Sequence, residues 1–336
     1  MFKTILLFLT TLSIVSAEML YKVRDGQKIC RALSLSGGGT KGSYEVGVLH
    51  KFARTLNGTD SQYDVISGIS IGSVNGAFLS FFEIGDEVNA TQYLADYWLY
   101  NTTNSGTYKF WPGNEVYDAL FKEPSILDTS PFHQHLIEVF GAFDNKLYHH
   151  FLAGAVDINS GTTIANDYDK MTVDEYPLGV LASTSIPVVF PWTGYKGMRL
   201  VDGGVSWNNN MVSAINKCVD LGFSHENIEL DVIVMDPTRL EKFETKNANT
   251  WENYLRLREM KEYYKTFSDI AEFMRANPDI NYRYYVQASE NPIPVTEILN
   301  FSPEMTQKVM DLGAKDAVKV IEMGPGKSFY HFLHNY

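Results

Sequence analysis

The sequence predicts an α/β fold: three layers, with a largely parallel central sheet and helices on both faces. Short apolar runs alternate with amphipathic stretches along the chain, the pattern of successive strand–helix units. Two early apolar runs end in glycine-rich turns that open directly into helical spacing. No repeat, low-complexity tract or clear linker interrupts the 336 residues, so one domain is the economical reading.

In chain order, Ile29 to Ser36 reads as a buried strand. Ser43 to Leu56 has helical spacing, with Tyr44, Val48 and Phe52 on one face. Tyr63 to Ile66 is a second strand, Ile71 to Phe82 a helix and Ala90 to Leu99 another. Asn101 to Gly113 is polar, then aromatic through Tyr108, Phe110 and Trp111; it reads as a surface excursion and a candidate lid. Tyr148 to Ile158 and Thr162 to Asn166 flank Asn159, Ser160 and Gly161, a hairpin signal. Leu178 to Ser183 reads as a short helix, and a turn at Gly194 to Gly197 leads into a strand at Met198 to Val201. Met211 to Leu221 is a helix, Ile228 to Met235 a strand and Trp251 to Met274 a charged amphipathic helix. A strand at Arg283 to Gln287 and a helix at Pro303 to Glu322 complete the pattern. A ligand site in such a fold is expected at the carboxyl ends of the strands.

Hydrophobic content of 45% and charged content of 20% are ordinary for a globular chain with a sizeable core. The net charge is −12 with no long basic cluster, which argues against nucleic acid as a partner. The chain opens MFKTILLFLTTLSIVSAEM: Lys3, an apolar run from Ile5 to Val15, then the small residues Ser16 and Ala17. Residues 1–17 are expected to be a secretory signal peptide. The run is short against the roughly 20 residues that a membrane span needs. Export makes Asn57, Asn89 and Asn101 candidate N-glycosylation sites; Asn300 also heads a sequon, which Pro303 weakens. Cys30 and Cys218 make no disulfide framework. One bridge between them and two buried free thiols both remain open.

The stretch SGGGTKGS, Ser36 to Ser43, admits three readings. A phosphate-binding P-loop needs lysine after the last glycine, and Ser43 stands there. The spacing of Gly37, Gly39 and Gly42 satisfies a dinucleotide fingerprint. That fingerprint also needs an acidic residue about 20 positions on, at the far end of the next strand. Asp64 opens its strand instead, and Ser67 and Gly68 occupy the far end. The third reading is an oxyanion hole, in which successive backbone amides beside a helix start face developing negative charge. A plain tight turn is the bland alternative.

Gly68-Ile69-Ser70-Ile71-Gly72 is G-x-S-x-G, with a strand before it and helical spacing after it, the context of a nucleophile elbow. Parallel strands put Ser70 and the Gly37–Gly39 loop on one sheet edge. A serine hydroxyl needs a base. None of the eight histidines follows a strand end with an acidic partner before it in the order serine, acid, histidine. His149 and His150 read as strand residues, His133 and His135 lie near a helix start, and His331 and His334 sit in the terminal stretch. Asp202 closes a strand in MRLVDGGVSW, with Gly203 and Gly204 forming the turn. A carboxylate there becomes a useful base if it is desolvated and bonded to the serine.

Taken together, these residues resemble the patatin-like phospholipase family. SGGGTKG, GISIG and DGG occur in that family's order. The flanks GISIGSVNGAFLS, LASTSIPVVFPWTGYKGMRLVDGG and FSPEMTQKVMDLGAKDA look family-like as well. The resemblance runs from about Ile29 to about Met323, giving an expected domain at 29–323 and a C-terminal tail at 324–336. It implies a patatin-like fold, Ser70 as nucleophile and Asp202 as general base. It implies an oxyanion hole from Gly37, Gly38 and Gly39, chiefly the last two, supported by Lys41, Gly42, Gly68, Gly72, Gly203 and Gly204. Lys41 stands where the family often has arginine; it either attracts an anionic headgroup or pairs with a surface acid. Ser36 stands where many members have aspartate, and Asn208 to Asn210 stand where a proline is common.

The expected function is hydrolysis of carboxylic esters in phospholipids or related acyl lipids, calcium-independent and without cofactor or metal. The expected partner is a lipid substrate or a membrane or micelle surface, and the expected location is secreted or lumenal, including a lysosome-like compartment. A Ser-His-Asp lipase and a non-catalytic lipid-binding or storage protein are the alternatives.

Overall fold

The computed structural model describes residue 26 and residues 28–112, 122–240, 242–243, 248–293 and 297–335. The expected signal peptide, residues 1–17, and Gly113 at the end of the expected excursion lie outside the described residues.

The fold is a mixed, largely parallel sheet wrapped by helices. In chain order its principal elements are β1 (Cys30–Leu35), α1 (Gly42–Thr55), β2 (Val65–Ile69), α2 (Ile71–Leu79), α3 (Glu87–Asp96), β3 (Lys109–Phe110), β4 (Leu127–Asp128) and α4 (Ser130–Ala142). There follow β5 (His150–Asp157), β6 (Thr163–Asp167), α5 (Tyr176–Ser183), β7 (Thr193–Tyr195), β8 (Met198–Asp202) and α6 (Met211–Asp220). The chain closes with β9 (Ile228–Pro237), α7 (Thr250–Ala276), β10 (Asn281–Ala288), α8 (Pro303–Met323) and α9 (Lys327–Asn335). The strand order is β10-β9-β1-β2-β5-β8-β7, with β6 also paired to β5. Strands β10, β9, β1, β2 and β5 are mutually parallel, whereas β6, β7 and β8 join antiparallel.

Strand alternation divides the interior into two cores. Leu33, Leu35, Ile66, Ile233 and Met235 face one side, where α1, α2, α3, α4 and α8 pack. Cys30, Ala32, Val65, Leu230, Val232 and Val234 face the other, under α6, α7 and α9. The charges inside these strands are paired. Arg31 meets Glu229 at 2.7 Å, and the buried Arg283 is bonded to the buried Asp231.

Three expectations change. The second strand is Val65–Ile69 rather than Tyr63 to Ile66, because parallel pairing on both sides holds Ser67 and Gly68 in the ladder. Gly194 and Tyr195 belong to β7, which leaves Lys196 and Gly197 as the turn. The stretch 324–336, expected as a tail, contains α9. Its Phe329 and Phe332 are buried against Tyr282, Tyr285 and Phe267.

Cys30 on β1 and Cys218 on α6 form a disulfide, with Cα atoms 5.9 Å apart and a sequence separation of 188. Closing so long a loop restricts the unfolded chain. Reduction is expected to remove about 2–5 kcal/mol of stability. Thermal unfolding with and without reductant checks this, and an unchanged melting temperature would contradict it.

Among the described residues no helix is long and apolar enough to cross a membrane.

Candidate active site

The carboxyl ends of β1 and β2 lie side by side, with Leu35 paired to Gly68. Beyond β2, Ser70 takes φ 51° and ψ −125° before α2 begins. A non-glycine residue rarely holds a positive φ, and such strain concentrates at functional sites. The flanking glycines permit the bend. A Cβ on Gly68 would fall 2.3 Å from the Gly72 carbonyl oxygen, and one on Gly72 would fall 2.5 Å from that of Ser36. The Ser70 amide donates to Ser183 Oγ at 2.9 Å, and that hydroxyl donates to the Gly154 carbonyl at 2.6 Å. The strained turn is thereby tied to β5.

Asp202 reaches the same edge from a strand running the other way. On β5, Gly154 pairs with Ile69 and the next residue, Ala155, pairs with Asp202. The Asp202 amide donates to the Ser185 carbonyl at 2.8 Å, and the Gly204 amide donates to Asp202 Oδ1 at 2.7 Å. Gly203 packs so closely on β5 that a Cβ would lie 2.6 Å from the Gly154 carbonyl oxygen. The Ser70 side chain lies close enough to the Asp202 carboxylate to favour its charged form. Both residues are buried. Burial pushes the Asp202 pKa up to about 6, helped by the charge of Glu262 and opposed by the nearby Ser70 side chain and the Gly204 amide.

The glycine loop contributes two donors rather than three. The Gly37 amide is taken, 3.1 Å from both the backbone oxygen and the Oδ1 of Asn208. The Gly38 and Gly39 amides donate to no acceptor among the described residues. Gly39, at φ 58°, starts a single 3₁₀ turn that ends at Lys41 and runs into α1 at Gly42. Lys41 is half-buried and makes no ion pair among the described residues, so the surface-pair alternative for it finds no partner there.

The three asparagines that follow the Asp202 turn pin it to three strands. Asn208 Nδ2 donates to the Gly37 carbonyl at 3.3 Å and to Asp236 at 3.2 Å. Asn209 bonds Ser34 on β1 and the Ile233 carbonyl on β9. Asn210 accepts from Ser67 on β2 and caps α6 through Ser213.

A cavity opens at Ser70 and Gly39. Ile71, Val74, Trp98, Phe132, Phe190 and Phe301 give it an apolar wall. His135 is the only histidine lining it among the described residues, and its Nε2 is held by the Tyr97 hydroxyl at 2.7 Å. Burial lowers the pKa of both His133 and His135. His149 is buried, with its pKa lowered to about 4, and His150 is bonded to Asp169. Among the described residues no histidine is hydrogen-bonded to Ser70.

A family model described as patatin-like phospholipase matches residues 33–215, more than half of the chain. The chain belongs to the patatin-like phospholipase family. Its class is that of lipid acyl hydrolases, and its three glycine motifs and both expected catalytic residues lie inside the matched segment. No curated protein sequence matches the chain. Among solved structures it is similar to VipD from Legionella pneumophila, with 13% identity over 89% of this chain and 68% of that one and a TM-score of 0.43. It is also similar to the type III effector protein ExoU, with 11% identity over 88% and 53% and a TM-score of 0.35. The departures of this patatin-like chain at Ser36 and at Asn208 to Asn210 are absorbed locally. Ser36 Oγ accepts the Met235 amide at 3.0 Å, and the asparagines replace a rigid ring with side-chain bonds.

Five residues that matter here carried no functional signal in the sequence. Ser183, Ser185 and Asn208 act through hydrogen bonds to partners distant in the chain. Trp98 and Phe132 line the cavity, yet as aromatic residues on helical stretches they read as core.

Proposed function

We propose that this chain is a secreted or lumenal, calcium-independent phospholipase A or lysophospholipase that works through a Ser70–Asp202 dyad. One observation carries the reading: adjacent residues of β5 bring Ser70 and the buried Asp202 together, beside two amides with no acceptor among the described residues, at the mouth of an apolar cavity. Asp202 Oδ takes the Ser70 proton as the serine oxygen attacks the ester carbonyl. Negative charge develops on the carbonyl oxygen and is received by the Gly38 and Gly39 amides; in measured cases one such donor is worth about 2.7–4 kcal/mol. The protonated Asp202 then gives its proton to the departing alkoxide. Water, deprotonated by Asp202, attacks the acyl-serine, and the fatty acid leaves with Ser70 reprotonated. The proton acceptor and the oxyanion donors are all groups of this chain. The acyl chain lies along Ile71, Val74, Trp98 and Phe190.

Three features support an exported protein: the leader at 1–17, exposed asparagines at the sequons Asn57, Asn89 and Asn101, and the Cys30–Cys218 disulfide. Asn101 also lines the cavity, so a glycan there would stand at its entrance.

The test is a fluorophosphonate probe with peptide mapping, combined with mass spectrometry of the products from a panel of phospholipids, lysophospholipids, galactolipids and glycerides. The expected outcome is an adduct on Ser70 and release of free fatty acid with a chelator present. A protein that takes up lipid but forms no adduct would be a binding protein instead.

A further inference from the structure

The dyad and the oxyanion loop belong to different strand–helix units, and catalysis needs them held at one spacing. Three contacts join the units. The elbow backbone at Gly72 lies against the Ser36 carbonyl, where a Cβ would approach to 2.5 Å. Gly42 packs on Ile71 and Trp98, where a Cβ would come within 2.5 and 2.6 Å. The third contact is polar and fully buried. Asn75 on α2 donates through Nδ2 to Glu45 Oε2 on α1 and to the Gly42 carbonyl, both at 2.9 Å. Its Oδ1 accepts the indole N–H of Trp98 at 2.9 Å, and Trp98 lines the substrate cavity.

This arrangement is expensive as mere packing. Glu45 and Asn75 are completely buried, and Glu45 Oε1 has no hydrogen-bond partner among the described residues. A half-satisfied buried carboxyl is destabilising compared with an apolar side chain, and the mechanism above gives it no proton to carry. Burial pushes its pKa well above the usual carboxylate range.

We infer that Glu45 and Asn75 are positioning residues: their bond clamps the glycine loop to the Ser70 helix and fixes the spacing between the Gly38–Gly39 amides and the Ser70 oxygen. This rests on the hydrolase reading above. A small misplacement of catalytic groups costs about 10²-fold in rate. The loss falls on kcat, because neither side chain touches the substrate.

The experiment compares the wild type, Asn75→Leu, Glu45→Gln and the double variant Glu45→Leu/Asn75→Leu on p-nitrophenyl butyrate. Active sites are counted by end-point fluorophosphonate labelling, and folding is followed by thermal unfolding. Asn75→Leu is expected to lower kcat per active site by about 10²-fold with KM little changed. Glu45→Gln keeps an oxygen for Asn75 and is expected to retain most of the activity. The double variant replaces both polar partners, which keeps the measurement available if Asn75→Leu does not fold; its kcat per site is expected to stay low. Full kcat per site in either leucine variant, with activity lost only in proportion to unfolded protein, would overturn the inference alone. A wild type that hydrolyses nothing and takes no label would remove the hydrolase reading, and this inference with it.

Discussion

Asp202→Asn is expected to lower kcat by about 10²- to 10⁴-fold, the range for loss of a positioned general base. The amide keeps an oxygen for the Gly204 N–H and loses the proton acceptor for Ser70. The wild type should show the matching pH dependence. Its kcat/KM should rise with pH until Asp202 ionises near pH 6 and level off above, and the variant's residual rate should lack that limb. Stability runs the opposite way. The folded state holds this proton up to about pH 6, against an ordinary value of 3.8. The stabilising contribution is therefore complete below pH 3.8 and is lost as pH rises through about 6. By pH 8 the buried charge costs roughly 3 kcal/mol relative to that limit, a penalty that asparagine escapes. The variant's melting temperature at pH 8 is expected to equal or exceed that of the wild type. Wild-type turnover in the variant, or a flat wild-type profile through pH 6, would rule out Asp202 as the base.

Ser70→Ala is expected to abolish fatty acid release and fluorophosphonate labelling together, with a loss of about 10⁶-fold, the scale seen when a catalytic serine is removed. The Ser70 amide bond to Ser183 and the carbonyl bonds from Ser73 are backbone contacts at this position and survive the substitution. The elbow should therefore persist, and circular dichroism should match the wild type. Residual release of fatty acid at the wild-type rate would mean that another residue attacks the ester.

The parts of this site legible in the sequence are those fixed by local backbone geometry. Gly68, Ser70 and Gly72 announce a tight bend because only small residues survive it, and Asp202 announces a strand end through Gly203 and Gly204. Strand–helix alternation likewise made the parallel half of the sheet readable. What stayed hidden depends on contacts across the chain. The loss of the Gly37 amide to Asn208 involves residues 171 positions apart. The antiparallel direction of β8 follows from its pairing with β5, which no local pattern encodes. The terminal helix α9 was concealed because it is short and polar, with Phe329 and Phe332 as its chief anchors in the core. The disulfide was undecidable from two cysteines 188 positions apart.

Strand β5 supports Ile69 at Gly154 and Asp202 at Ala155, neighbours on a single backbone. The two halves of the proposed dyad are thus hung from one peptide unit, and their separation is set by the repeat of a strand rather than by the path of the chain between them. That intervening path can lengthen, shorten or acquire new loops on the rim while the chemistry stays in register. Variation in substrate choice and permanence of mechanism are in this way assigned to different stretches of the same polypeptide.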